Sequence, residues 1–268
     1  MRKRGIAISD MHCGHLCGLT PPAYQTKQTK GSTTKHNKWA KLQAQLWGHY
    51  TRMLADLGPF HFGLYLGDGI DGKGERSGGT ELITTDTQEQ VDMAVSCCNE
   101  VRLHARRGFE WVGVYGTGYH VGNDEDSENL IAKDAGFLKI GAHEWVNVNG
   151  CVFDLKHHVG SSGIPHGRHT AAAKERMWNL LWAARELQPK ARVFLRGHVH
   201  YHAYCGGPDW VAMTLPALQG MGTKYGARRC VGLVDWGVTV FDVADDGSFD
   251  WRAETVSIEA QKARAVQL

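Results

Sequence analysis

The chain has 268 residues, enough for one large α/β domain. With 42% hydrophobic and 22% charged residues it has the make-up of a folded globular protein, not of a disordered tail or a fibre. A net charge of +2 argues neither for nor against an acidic substrate, and no apolar run reaches membrane length. Seven cysteines without a regular framework, Cys97 and Cys98 adjacent, point to free thiols in a reducing cytoplasm.

Met1-Arg-Lys-Arg4 leads straight into a short buried strand over Gly5–Ser9, so no signal peptide is expected. Asp10-Met-His12 follows. Two donors at i and i+2 on an extended segment point the same way and could grip one ion. Residues 13–38 show no periodicity and carry Pro21-Pro22, Gly31-Ser32 and the lysines Lys27, Lys30, Lys35 and Lys38. They read as a long loop insertion, basic enough to meet phosphates. Cys13, His15 and Cys17 match no common zinc spacing. From Trp39 the apolar residues recur every three or four positions, through Leu42, Leu46, Tyr50 and Met53 to Leu57, and predict a helix closed by Gly58-Pro59.

Phe60–Leu66 is an apolar run of strand length that ends in Gly67-Asp68-Gly69-Ile-Asp71. In an open α/β sheet the carboxyl ends of the strands form the ligand crevice, so Asp68 is placed for chemistry. A second helix is predicted from a cap at Thr85 or Asp86 to about Arg107, then a strand over Phe109–Tyr115 that delivers Gly116-Thr-Gly-Tyr-His120. The acidic run Asn123–Asp126, with Asp124 and Asp126 as candidate metal carboxylates, feeds a helix from Ser127 to Gly136. Asn149-Gly150 joins two strands as a hairpin, the second of which ends in His157-His158. Thr170 is the predicted cap of a further helix with Ala173, Met177, Leu180, Ala184 and Leu187 on its inner face. Arg192–Leu195 is a short strand before Gly197-His-Val-His200, and Gly237–Val243 and Phe249–Val256 alternate as strands.

In chain order the polar clusters are Asp10-x-His12, Gly67-Asp68-x-x-Asp71, Gly116-Thr-Gly-Tyr-His120, His157-His158 and Gly197-His-x-His200. This order resembles the calcineurin-like metallophosphoesterase superfamily from the first strand to about residue 200. The Asp-Met-His-Cys-Gly-His opening, Gly-Leu-Thr-Pro-Pro and Gly-Thr-x-x-His-Val-Gly look most like members carried by tailed phages and prophages.

The resemblance implies a single domain over 1–268, a four-layer αββα sandwich of two mixed β-sheets with helices outside and metals at the strand ends. It implies that Asp10, His12 and His200 hold one metal, that Asp68 bridges, and that His157 and His198 hold the second, with His158 the competitor of His157. Imidazole and carboxylate donors without thiolate suit Mn²⁺ first, or Fe, Zn²⁺ or Ni²⁺. Two such ions would lower the pKa of a bridging water and clamp an in-line displacement at phosphorus. His120 would attend the leaving group, oriented by Asp71.

The chain departs from that family in two places. Members usually carry Gly-Asn-His at the third motif, where Asn binds the second metal; no Asn precedes His120, and Thr117, His120, Asn123 or water are the alternatives. The arginine that phosphoprotein phosphatases place after the second Asp is Gly72 here, which leaves phosphate contacts to Lys73, Arg76, Arg168 or the 13–38 loop, with loop histidines His166 and His169 as further candidates. The function implied is a phosphodiesterase acting on nucleic acid or a nucleotide, without a membrane partner. A phosphomonoesterase, or an inactive scaffold or nucleic-acid-binding subunit, is the alternative.

Overall fold

The computed structural model describes residues 1–27, 31, 34–121, 126–221, 233–259 and 265–267; the side chains of Thr34, Lys35, Arg76 and Val121 lie outside the described residues. Two mixed sheets face each other. The first has the order β11-β10-β1-β2-β3-β4, with β1 (Lys3–Ile8), β2 (Phe60–Tyr65), β3 (Ala105–Val114), β4 (Lys139–Gly141), β10 (Trp236–Val243) and β11 (Phe249–Val256). Its β1 to β4 run parallel, and β10 and β11 join antiparallel. The second sheet has the order β5-β6-β7-β9-β8, with β5 (Glu144–Val148), β6 (Cys151–Leu155), β7 (Val193–Arg196), β8 (Ala203–Gly207) and β9 (Trp210–Thr214). Here β6, β7 and β9 are parallel and the outer pairs antiparallel.

The inner strands are apolar on both faces because both faces are covered. Between the sheets pack Ala7, Leu64, Val114, Phe153, Leu195 and Phe241 among others. On the outer face of the first sheet lie α1 (Thr34–Leu57), α2 (Thr87–Leu103) and α4 (Asp126–Asp134), which bury Leu46, Tyr50, Val91, Val101 and Ile131 against Ile6, Ile8 and Trp111. A single helix, α5 (Arg168–Ala183), covers the second sheet through Ala172 against Phe194 and Ala212. The order is therefore helix, sheet, sheet, helix. No described helix is long and apolar enough to cross a membrane.

Several local expectations are corrected. The predicted 13–38 loop is shorter, because α1 begins at Thr34. Its first part is core: Cys13, Cys17, Leu19 and Thr20 are fully buried, and Cys13 bridges to Ile70. Lys30 lies outside the described residues, and Lys38 lies over the Trp39 ring at 5.4 Å. Asp86 is the cap of α2, its Oδ1 accepting from Gln88 N (2.9 Å) and Glu89 N (3.3 Å), but the helix stops at Leu103 and β3 starts at Ala105. Strands β4, β8 and β9 were not anticipated, being short or broken by glycines. A four-residue helix, α3 (Gly118–Val121), follows Thr117.

Helix α5 is the largest correction. Gly167, not Thr170, precedes it, and its side toward the sheet is polar. Ala172 and Asn179 are buried, whereas Met177, Leu180 and Leu187 are 48%, 40% and 64% exposed. The reason is an ion cluster on the outer face of the second sheet. Arg196, 1% exposed, donates from Nη2 to Asp154 Oδ1 and Glu175 Oε2, both at 2.6 Å. Lys156 Nζ reaches Glu175 at 2.8 Å, His143 Nε2 lies 3.0 Å from Asp154 Oδ1, and Trp145 Nε1 donates to Asp154 Oδ2 at 3.1 Å. Satisfying these charges dictates which face of α5 turns inward.

Candidate metal centre

The pairs β1/β2 and β6/β7 continue their ladders past the strand ends, and the candidate-ligand loops are laced together by it. In the first sheet Asp10 N–H donates to Gly67 O (3.0 Å), His12 N–H to Asp68 O (3.0 Å) and Asp71 N–H to Cys13 O (3.0 Å). In the second, Gly197 N–H donates to His157 O at 2.9 Å. These loops open at the same edge of the sandwich, where the parallel strands of both sheets end.

Seven described non-glycine residues adopt left-handed φ, and five of them are Asp10 (53°), His12 (45°), Asp68 (52°), His198 (71°) and His200 (55°). Such a conformation costs on the order of 1–3 kcal/mol per residue and persists only where the surroundings enforce it. This revises the extended reading of Asp10 and His12: the two side chains converge through left-handed turns, not through strand alternation. Two glycines permit the close approach. A Cβ on Gly116 would stand 2.1 Å from Asp68 Oδ1, and one on Gly197 would stand 2.3 Å from Ser9 Oγ.

Three groups of donor atoms lie close enough to hold an ion: Asp10, His12 and His200; Asp68, His157 and His198; and His12, Asp71 and His120. In the first, His200 Nε2 is 3.1 Å from Asp10 Oδ1 and 3.2 Å from His12 Nε2. In the second, His157 Nε2 is 3.1 Å from Asp68 Oδ2. The two groups touch, since His12 Nε2 lies 4.0 Å from Asp68 Oδ2 and His157 Nε2 lies 4.0 Å from Asp10 Oδ1. Asp68 stands between them.

The partners behind the imidazoles set their tautomers. His157 Nδ1 meets the Leu66 carbonyl, and His12 Nδ1 meets Asp71 Oδ1 at 3.0 Å; both partners can only accept, so Nδ1 carries the proton. Each Nε2 then presents a lone pair to the site, in the pattern of metal-bound histidines. His157 Nε2 is buried without a hydrogen-bond donor facing it. Lone pairs of imidazole and carboxylate thus converge with no protein cation among the described residues, so a metal ion fits the donor set. Without one, protons take its place. Burial pushes the His12 imidazole down, but Asp10, Asp71 and Asp68 overcome it and hold it at about 10. Burial likewise opposes the charge on His157, while Asp68 and Asp10 hold it at about 9. Burial opposes the charge on Asp10 and Asp68 too, yet the surrounding histidines keep both carboxyls below the usual range.

His157 is turned into the centre, whereas His158 is exposed, its ring 4.7 Å from that of His198. His198 N–H also donates to both oxygens of Asp10 at 3.1 Å. Asp71 serves two histidines: its carboxylate meets His12, and its carbonyl oxygen meets His120 Nδ1 at 3.0 Å, with Oδ1 3.6 Å from the same nitrogen. His120 therefore sits beside His12, ring centroids 4.5 Å apart. Thr117 takes the place next to Asp68. Its N–H donates to Asp68 Oδ1 at 2.6 Å, and its Oγ1 lies 3.2 and 3.3 Å from the two carboxylate oxygens. Asn123 and Asp124 lie outside the described residues, and Asp126 is exposed in the first turn of α4.

Among the phosphate candidates, the Arg168 guanidinium lies 4.2 Å over the ring of Tyr201, next in sequence to His200. Lys73 is exposed on the loop after Asp71, and the Arg76 side chain lies outside the described residues. His169 Nδ1 meets Tyr204 O at 3.0 Å, and His166 is exposed. Cys13, His15 and Cys17 form no joint site: Cys13 Sγ faces Leu19 O at 3.2 Å, while His15 Nδ1 accepts from Cys17 N–H at 3.1 Å.

A residue missed by the sequence reading is Glu128. It is fully buried in α4, and its Oε1 accepts from Gly69 N–H at 3.1 Å, bracing the Asp68 loop from behind. Its Oε2 and the Tyr65 hydroxyl are both buried without a partner. Burial pushes this carboxyl up to about 7. The signal available in sequence was its place one turn into a short helix, which reads equally well as a dipole-stabilising surface acid.

No family model matches the chain, and no curated protein matches it. Solved structures do. A zinc complex of wild-type Vps29 from Entamoeba histolytica shares 13% identity over 94% of this chain and 98% of its own, with a TM-score of 0.42. An archaeal phosphodiesterase shares 9% over 94% and 99%, at 0.43. A conserved Streptococcus pneumoniae protein, a predicted phosphoesterase, shares 10% over 95% and 99%, at 0.37.

Proposed function

We propose that the chain is a dinuclear metal-dependent phosphodiesterase acting on nucleic acid or a nucleotide. The observation that carries the reading is the meeting of two Asp/His groups around Asp68, with every defined Nε2 lone pair facing inward and no protein cation between them. Asp10, His12 and His200 would hold one ion, His157 and His198 the other, and Asp68 both. Divalent ions bound there would polarise a phosphoryl oxygen and lower the pKa of water. Mn²⁺ is the first choice for this donor set, with Fe, Zn²⁺ or Ni²⁺ compatible.

The chain's own residues supply the rest. Asp71 fixes the Nδ1 protons of His12 and His120, so both Nε2 atoms face the site. Burial and His12 hold the His120 imidazole below its ordinary pKa. An arriving phosphate anion favours the imidazolium, whose Nε2 then gives its proton to the departing oxygen. Thr117 Oγ1, beside both Asp68 oxygens, would take the part of the Asn in the family the chain resembles, and Arg168, over the ring of Tyr201, would meet a phosphate.

Elemental analysis and Mn²⁺ titration of the purified protein test the ligand count, and hydrolysis of bis(p-nitrophenyl) phosphate tests the chemistry. Two ions per chain with turnover are expected. One ion at saturation breaks the dinuclear reading. Two ions without turnover of any diester turn the chain into the inactive subunit, the reading favoured by the loss of the Asn.

A further inference from the structure

The edge strands β8 and β11 lie at the same rim of the sandwich, and a cleft of about 450 Å³ opens there. Its walls are aromatic: Tyr204, Trp210, Phe249 and Trp251. Tyr204 is 53% exposed. Trp251 stands against it at 4.7 Å and 71°, so the two rings make a near-perpendicular corner. His202 closes the corner from within, stacking on Tyr204 at 5.8 Å and 28° and meeting Trp251 at 5.8 Å and 63°. Arg192 is held rigidly in the wall: Nε donates to Asp209 O (2.9 Å), Nη1 to Gly247 O (2.8 Å), and the guanidinium lies 5.3 Å over Phe249. The bordering carboxylate, Asp250, is engaged by Arg2 at 3.0 Å.

One exposed and three half-buried aromatic rings beside a fixed cation suit a flat, uncharged ring joined to an anionic backbone. The cleft also lies within a short length of chain from the metal centre. His202 and Tyr204 follow the ligand His200 at two and four residues, so their backbones are at most about 14 Å from it. That span is roughly four nucleotides at the 3.4 Å rise of a stacked strand. A substrate with its phosphate at Asp68 can thus lay a neighbouring base in this corner. Aromatic platforms that track a backbone in this way bind single strands with little sequence preference.

We propose that the Tyr204–Trp251 corner stacks a nucleobase of a single-stranded nucleic-acid substrate. The choice of substrate rests on the phosphodiesterase reading; the stacking itself is testable without turnover. Full-length protein, with EDTA present to stop hydrolysis, is titrated with a ten-residue oligothymidylate and with an abasic oligomer of the same length, following tryptophan emission and anisotropy. Quenching by the oligothymidylate and weaker binding of the abasic chain are expected. Tyr204→Ala, at an exposed position, should weaken the oligothymidylate by about 5- to 150-fold, the range for one stacked base. Tyr204→Phe should keep affinity within about twofold. Equal binding of both oligomers, unchanged affinity in Tyr204→Ala, a loss in Tyr204→Phe, or quenching by an oligosaccharide in place of the oligothymidylate would each overturn the proposal. Failure of the Mn²⁺-loaded wild type to hydrolyse bis(p-nitrophenyl) phosphate would count against the phosphodiesterase reading alone.

Discussion

The protein buries carboxylates in two neighbouring places and neutralises them in opposite ways. Behind the second sheet, Asp154 and Glu175 are met by Arg196 and Lys156, charge for charge. In front, the ion-pair partners of Asp10, Asp68 and Asp71 among the described residues are all histidines. The two clusters are joined along the chain, because Lys156 precedes His157 and Arg196 precedes Gly197-His198. A buried charge needs a partner. The rear cluster is complete within the protein and ties strands to α5; the front cluster would be completed, on the proposed reading, by a cation from solution. Glu128 is a third case, a buried acid behind the Asp68 loop with neither lysine nor arginine among its described partners, and burial pushes its carboxyl up to about 7.

The sharpest way to break this contrast is Asp68→Asn. It should lower metal affinity at both ion positions by more than the 10- to 100-fold typical of changes behind the ligands, and activity should vanish with it. Metal titration followed by elemental analysis is the check. If the variant kept two ions and wild-type turnover, the front cluster would not be a metal centre.

His120→Ala should slow a nucleotide diester by about 10²–10⁴ while largely sparing a p-nitrophenyl ester, whose leaving group needs no proton. Both ions should stay bound. Equal losses on both esters, with rescue by excess metal, would instead make His120 a ligand.

Arg196→Met tests the other side. It leaves two buried carboxylates short of their cation and should destabilise the fold by about 3–5 kcal/mol in urea denaturation, with two ions still bound by the folded fraction. Loss of metal without loss of stability would erase the distinction between the clusters.

The smallest effect is a pH dependence. The folded-state pKa of Glu128, about 7, lies above its ordinary 4.5. The folded protein therefore holds a proton that the unfolded chain releases, and stability drains away as pH rises from 4.5 through 7, by up to about 3 kcal/mol. Glu128→Gln should remove that share of the slope, leaving the part that His12 and His157, also raised, contribute above about pH 6.5 in the absence of metal. Comparing urea midpoints of wild type and variant at pH 5 and pH 8, with EDTA present, measures it, and parallel profiles would contradict the assignment.

What the sequence made legible was whatever depends on order and on apolar runs. Asp10, Asp68, His157 and His198 each follow a buried strand, so their arrival at one edge could be read from strand-end logic, and the sandwich followed from the same runs together with the resemblance. Three things were hidden. The left-handed backbones at the ligands have no signature in Asp or His, because glycine is the residue that announces such turns. The inward face of α5 was read as apolar, but the buried Arg196 overrides that pattern, and a single arginine next to a strand carries no mark of its burial. Thr117 could not be singled out as the neighbour of Asp68 until the turn at Gly116 fixed which residue faces it.

The proposed ligands are also divided between the sheets: Asp10, His12 and Asp68 come from the first, His157, His198 and His200 from the second. Each ion position draws on both. A half-assembled chain with one sheet formed would own at most part of a site, so on the proposed reading tight metal uptake would be a late event in folding. Ions bound there would act as a clasp between the sheets, and separating the layers would require releasing them. Metal should then slow unfolding far more than it speeds refolding.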